Sequence, residues 1–340
     1  MTILVDTFGA VGNGTTNDRA AIQSALNSLA TSGGTVALSD NKVYRIAGGD
    51  LTIPRGVTLK GALSFNGHRG TNAGANYNTQ AGIVADPAYK IKIMGGATLD
   101  GVLVRPYGMT FPQPNDLAYV GTAIQMMEDD GAILNSMVIG FEMAVYAENS
   151  QRGRIERFNT DCVNGIRVKT SWDIWYLREV HCWPFGTISS VTHGDVRRRG
   201  YGIQFEEGGD WNKITDCFTY GYAVGVHVKN CGSMTLTGVG TDNAVDLDRP
   251  TIGILIEGGC DDTVLIGCQA AASTRGIVIA TWPGMRTLIS EARCWANGIG
   301  IHTTAQGTIN IVNSILRAAS WSARHDEGNG ATVNTSMLLF

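Results

Sequence analysis

At 340 residues and 44% apolar content the chain is long enough for a large buried core and too apolar to be disordered. Gly supplies 44 residues and charged residues only 16%, a balance that points to many tight turns between short strands. The net charge of −4 gives no electrostatic footprint for nucleic acid, and no apolar run approaches the roughly 20 residues of a membrane span, so neither partner is expected. The stretch "MTILV" is too short for the apolar core of a signal peptide.

The N-terminal segment "VDTFGAVGNGTTNDRAAIQSAL", residues 5–26, is a run of turn signals leading into a helical pattern. The periodicity predicts a helix from about Asn17 to Ala30, with Thr16 or Asn17 as its cap and Ile22, Leu26 and Leu29 on one face. Gly33-Gly34 stops it, and "TVAL" and "VYRI" follow as strands. A Gly/Asn-rich excursion, "NGHRGTNAGANYNTQAGIV", comes next.

The second half repeats a short phrase: "GIRV" at Gly165, "GIQF" at Gly202, "GVHV" at Gly225, "GILI" at Gly253, "GIVI" at Gly276 and "GIGI" at Gly298, after an earlier copy at Ala144. The intervals from Gly165 are 37, 23, 28, 23 and 22 residues, a period of 22–23 with an insertion before Gly202 and another before Gly253. Such self-similarity marks a solenoid. Within each phrase Ile166, Ile203, Val226, Ile254 and Ile277 point inward, and so do Val168, Phe205, Val228, Ile256 and Ile279 two residues later. Second apolar segments such as "NKITDC" and "MTLTGV" lie between the phrases. With no ten-residue helical pattern between strands, βαβ units are excluded, and the leucine-rich consensus is missing. What remains is a parallel β-helix, with the N-terminal helix as a lid on its first coil because open solenoid ends expose backbone and core. The expected boundaries are a leading loop and capping helix over 1–35, the β-helix over 36–317, and a C-terminal segment over 318–340 that ends on an apolar tail. The seven cysteines form no CxxC pair; Cys182, Cys217, Cys268 and Cys294 each follow a short apolar run and read as small buried hydrophobes kept reduced.

The segment "DTFGAVGNGTTNDRAAIQSAL" resembles the opening motif of the pectate-lyase-like β-helix superfamily, which includes polygalacturonases, pectate lyases and many bacteriophage tailspikes. The Gly/Asn-rich excursion, together with "REVHCWPFG" and the later "GDWNKITDCFTYGY", is similar to stretches of phage tail proteins. The resemblance implies an all-β, right-handed, single-stranded parallel β-helix and a polysaccharide depolymerase of the tailspike type. It further implies a parallel homotrimer on a virion tail, made in the host cytoplasm and acting on a bacterial surface polysaccharide.

Aligning the phrases gives two outward columns. One holds Arg167, Gln204, His227, Leu255 and Val278; the other holds Lys169, Glu206, Lys229, Glu257, Ala280 and His302. The alternating signs read either as a charge ladder between coils or as a strip facing a glycan. Glycoside hydrolysis needs two carboxyl groups about 5–9.5 Å apart. "FEEGGDW" offers Glu206, Glu207 and Asp210 beside Trp211, and "TDNAVDLDRP" offers Asp242, Asp246 and Asp248; turn formation is the alternative role for each Asp. Glu206, Glu207, Asp210, Asp246 and Asp248 are the candidate catalytic carboxylates, and Trp183, Arg197, Trp211, His227 and Lys229 the candidate substrate-binding residues. Trp183, Trp211 and Tyr220 offer flat faces to sugar rings or pack in turns. In "THGDVRRR", His193, Asp195 and Arg197 would suit β-elimination, or form a solvated loop. Hydrolysis by a carboxylate pair is the first expectation, without cofactor or metal. Polysaccharide lyase chemistry, a non-catalytic glycan-binding fibre and a pectinolytic enzyme are the alternatives.

Overall fold

The computed structural model describes residues 1–63, 76–187, 198–243, 250–304, 306–318, 325–327 and 332–336. Two compact units divide the chain, Met1–Ile166 with Cys182–Val196, and Arg167–His181 with Arg197–Phe340. Each is a stack of parallel coils with three strands per coil.

In the first unit one ladder runs through Thr2–Leu4, Gly34–Ala37, Val57–Lys60, Thr98–Asp100 and Ala132–Leu134. A second runs through Asn13–Asn17, Val43–Ile46, Gly82–Ala85, Leu103–Pro106 and Met137–Ile139. The third holds Leu51–Ile53, Ile91–Ile93, Thr122–Met126 and Met143–Glu148. Every pairing is parallel, so each coil hydrogen-bonds to the coil above and below at about 4.8 Å.

The helix spans Arg19–Ser28, two residues later than its sequence suggests, with Asp18 at the cap position. The Asp18 carboxylate instead accepts from the Val11 and Gly12 amides of the leading loop. Asn17 does contribute, since its Oδ1 accepts the Arg19 amide. Ile22, Ala25, Leu26 and Leu29 are buried, and the helix packs against Leu51–Ile53, the terminal strand of the third ladder. Gln23 meets that strand as a neighbouring strand would: Nε2 donates to the Thr52 carbonyl at 2.9 Å and Oε1 accepts the Thr52 amide at 2.8 Å. The helix therefore covers an otherwise unpaired edge.

The second unit repeats the plan. One ladder runs through Arg198–Gly209, Tyr222–Lys229, Ile252–Gly258, Arg275–Thr281 and Ile299–Thr303. Another holds Lys213–Thr215, Thr235–Thr237, Thr263–Ile266, Arg286–Ser290 and Thr308–Val312. The third holds Phe218–Tyr220, Gly240–Asp242, Gln269–Ala271, Arg293–Asn297 and Ile315–Ala318. The repeated phrases are the strands of the first of these ladders. Their inward residues form buried files, Ile203–Val226–Ile254–Ile277–Ile301 and Phe205–Val228–Ile256–Ile279. Burying each such side chain contributes about 1.5–3 kcal/mol. Pairing also corrects one position. His302 stands beside Val278 and so belongs to the column of Gln204 and His227, because the last phrase runs one coil up in register with Val278 and not with Ala280.

In many coils a single left-handed residue turns the chain between the two shorter strands, or bends one continuous strand where the two have merged, as in Arg154–Asp161 and Tyr176–Cys182. In the first unit these are Gly101, Asn135 and Arg157; in the second, Glu179, Asp216, Gly238, Gly267, Glu291 and Asn313, with φ between 49° and 67°. The amides of Gly101, Asn135, Asp216, Gly238, Gly267, Glu291 and Asn313 still continue the ladder, as when Asp216 donates to the Thr237 carbonyl and Glu291 to that of Val312.

All seven cysteines are buried thiols outside any disulfide. Burial pushes the Cys217 and Cys294 thiols up to about 12 and those of Cys260 and Cys268 up to about 11. A thiolate is the reactive form. The native protein is expected to resist an alkylating reagent at neutral pH and to titrate seven thiols once denatured; rapid native labelling of any of them would contradict this packing.

Candidate functional site

The ladder of repeated phrases in the second unit carries a continuous row of polar side chains on its outer side. Register sets Gln204 beside His227, and stacks Glu206, Lys229 and Glu257 on successive coils. Outward side chains of a solenoid normally face water, yet Gln204, Glu206 and His227 are buried, with His227 only 4% exposed.

The Glu206 carboxylate is held on both oxygens. Arg167 donates to Oε1 from Nε at 2.7 Å and also from Nη2, and Gln204 Nε2 donates to Oε2 at 3.0 Å. Such a charge-assisted fork fixes geometry as well as charge. The same Gln204 amide nitrogen lies 3.3 Å from His227 Nδ1, and His227 Nε2 lies 3.0 Å from Glu257 Oε1. An amide nitrogen can only donate, so Nδ1 must accept, which leaves the proton on Nε2, pointing at Glu257. The network thus assigns a neutral Nε2–H imidazole. Lys229 Nζ reaches Glu257 Oε1 at 3.7 Å. The Tyr201 ring stacks on the imidazole with centroids 5.1 Å apart and planes at 18°. The row reads Arg167, Glu206, Gln204, His227, Glu257, Lys229: two carboxylates balanced by two cations around a neutral histidine.

Chemically, the row presents two carboxylates on coils separated by one coil. Two rises of about 4.8 Å place their strand positions about 10 Å apart, just beyond the roughly 6.5–9.5 Å between carboxyl groups in inverting glycosidases, so the two side chains must lean toward each other to act as such a pair. Glu257 is the more exposed of the two, with 32% of its side chain open against 10% for Glu206.

Of the residues singled out in the sequence, Glu206, His227 and Lys229 come together here. Glu207 is exposed at the strand end in the left-handed region, φ 61°. Asp210 forms a backbone bridge to Gly232, and Trp211 is exposed with φ 60°. Asp242 lies on a different ladder, where it lines a cleft of about 340 Å³ with Asp216, Phe218 and Trp295; burial raises its carboxyl above the ordinary value. Trp183 is half-buried in the first unit, packed against a cluster that includes Phe111, Tyr119, Met137 and Phe185. Arg197, Asp246 and Asp248, with His193 and Asp195, lie outside the described residues. The sequence columns contained Arg167, Gln204 and Glu257, as members of a charge ladder or of a strip facing a glycan, but gave them no individual role. Tyr201, just before the phrase at Gly202, carried no signal.

Burial holds the His227 imidazole below its ordinary value of 6.5, against the pull of Glu257 toward the charged form. The folded state therefore binds a proton less readily than the unfolded chain. Stability from this group is complete above about pH 6.5 and is lost as pH falls below that value. His227→Gln is expected to flatten the fall in Tm between about pH 7 and pH 5 relative to the unchanged protein; parallel Tm profiles for the two would show that His227 is not the titrating group.

No protein-family model matches the chain, and no curated protein does. Solved structures do. An exopolygalacturonase from Thermotoga maritima superposes with a TM-score of 0.66 at 10% identity, over 100% of this chain and 91% of that one. The enzymatically active domain of bacteriophage CBA120 tailspike protein 2 gives 0.55 at 14% identity, over 98% of this chain and 46% of that one. The Geobacillus virus E2 protein ORF18 gives 0.53 at 14% identity, over 98% and 59%. The chain thus spans about half the length of each of the two phage proteins. At such identities the likeness is one of architecture: the chain shares the parallel β-helix fold of these structures.

Proposed function

We propose that the chain is a depolymerase of the tailspike type that cleaves a bacterial surface polysaccharide by glycosidic hydrolysis. The observation that carries this reading is the Glu206–Glu257 pair, set in one row with Arg167, His227 and Lys229 on the outer side of a rigid sheet. In this reading Glu257, the more open carboxylate, exchanges the proton with the glycosidic oxygen or the attacking water. Glu206 supplies the second carboxyl function, held in place by Arg167 and Gln204. The similar structures, an exopolygalacturonase and an enzymatically active tailspike domain, support a glycan substrate and a virion setting.

β-Elimination is the second reading, favoured by one observation: the half-open Glu257 carboxylate, able to take a proton, stands beside Lys229, able to compensate a uronate carboxylate. Incubation with capsular and O-antigen polysaccharides separates the readings. New reducing ends without ultraviolet absorbance indicate hydrolysis; an unsaturated uronate product indicates elimination; binding without products indicates a glycan-binding fibre.

Glu257→Gln is expected to lower turnover at least about a hundredfold, the scale of losing an acid or base, with the fold intact. Glu206→Gln is expected to lower turnover similarly and also to lower Tm, because it leaves the Arg167 guanidinium without its carboxylate. Near-normal turnover in both would remove the row from the reaction.

The same reading includes a parallel homotrimer. Light scattering is expected to give three times the 36.2 kDa chain mass; a monomer at micromolar concentration would overturn the trimer.

A further inference from the structure

Trp172, Trp211 and Trp282 are exposed over 67%, 58% and 57% of their surface. All three lie just beyond strands of the ladder that carries the polar row: Trp172 follows Ser171, Trp211 follows Arg198–Gly209 by two residues, and Trp282 follows Arg275–Thr281. Large apolar side chains rarely gather in water at one corner of a fold without a use.

Two of the three are braced against backbone. A Cβ built on Gly208 would fall 2.8 Å from Cζ2 of Trp172, and one built on Gly259 would fall 3.2 Å from Cζ3 of Trp282. Each indole thus rests on a glycine that leaves room for it. Gly208 stands two residues after Glu206, and Gly259 two residues after Glu257. Each carboxylate of the row therefore has a braced ring at the end of its own strand. The two glycines belong to coils separated by one coil, about 10 Å apart along the stack, and the rings reach them from the coils on either side, Trp172 from the strand before Arg198–Gly209 and Trp282 from the strand after Ile252–Gly258, so the rings stand farther apart than the glycines.

A flat ring supported from behind, beside carboxylates and cations, matches a sugar: its C–H face lies on the indole and its hydroxyls reach the polar row. A spacing of more than two coil rises calls for an extended polymer and not a single sugar. We infer that Trp172 and Trp282 are two platforms that hold one polysaccharide chain along the coil axis, past Glu206 and Glu257. This inference rests on the glycan reading above and adds the residues that position the polymer.

The test uses the full chain and a panel of bacterial capsular and O-antigen polysaccharides, with Kd from fluorescence titration and KM and kcat from cleavage. Trp172→Ala and Trp282→Ala are each expected to raise Kd and KM about three- to tenfold, the loss of one aromatic stacking contact, with kcat little changed. Trp295→Ala, an exposed indole on another ladder, is expected to leave all three constants unchanged. Cleavage with unaltered Kd and KM in both variants would overturn the platforms and leave the glycan reading standing. A changed mass by light scattering, with unaltered Kd, would make the rings a subunit contact and overturn the platforms too. If the unchanged protein neither binds nor cleaves any glycan of the panel, the glycan reading falls, and the platforms with it.

Discussion

The constraint on which everything else depends is the parallel backbone ladder between coils. Each coil must present its amides and carbonyls to its neighbours in register at a fixed rise, three times per turn. That requirement places Ile203, Val226, Ile254, Ile277 and Ile301 in one buried file. It also decides what stands outside: once Ile203 and Phe205 point in, Gln204 and Glu206 must point out, next to His227 and Lys229 on the following coil. The polar row is therefore a by-product of core register. A slip of one residue in any strand would dismantle core and row together.

The same ladder explains how a charged row can be rigid. Arg167, Glu206, Gln204, His227 and Glu257 belong to strands whose backbone is pinned on both sides, so the side chains lose little further freedom on forming the network. Gln204 is the joint. Its amide serves Glu206 and His227 at once and thereby sets which imidazole nitrogen keeps its proton. Because the carboxylate and imidazole ends are both satisfied, the row can be buried at a cost far below that of unpaired groups.

Much of this was legible in the sequence, and the reasons differ by feature. The repeated phrases announce the ladder because few architectures besides a stack of coils repeat a period-two phrase every 22–23 residues. The two outward columns follow from alignment alone, except at His302, where one residue of register moved it to the other column. The corners were less legible. Gly and Asn signal a left-handed turn, but Arg157, Glu179 and Glu291 occupy the same conformation. Their side chains leave no such mark, and the ladder imposes the conformation on them. Trp183 illustrates the opposite difficulty: an indole reads alike whether it faces a sugar or packs on Phe111 and Phe185. Glu257 looked like one rung of a charge ladder, because nothing in a linear pattern reveals that His227 turns toward it.

Gln23 carries a consequence of a different kind. A stack of parallel coils has the bonding pattern of a fibril, and its first strand is a template on which another chain could grow. By presenting one carbonyl and one amide from a side chain, Gln23 counterfeits a single residue of that next strand and occupies the template at Thr52. The helix behind it cannot be extended as a strand, so it acts as a chain terminator. Coils can then be duplicated or lost in the interior of the solenoid during evolution without reopening the Leu51–Ile53 edge.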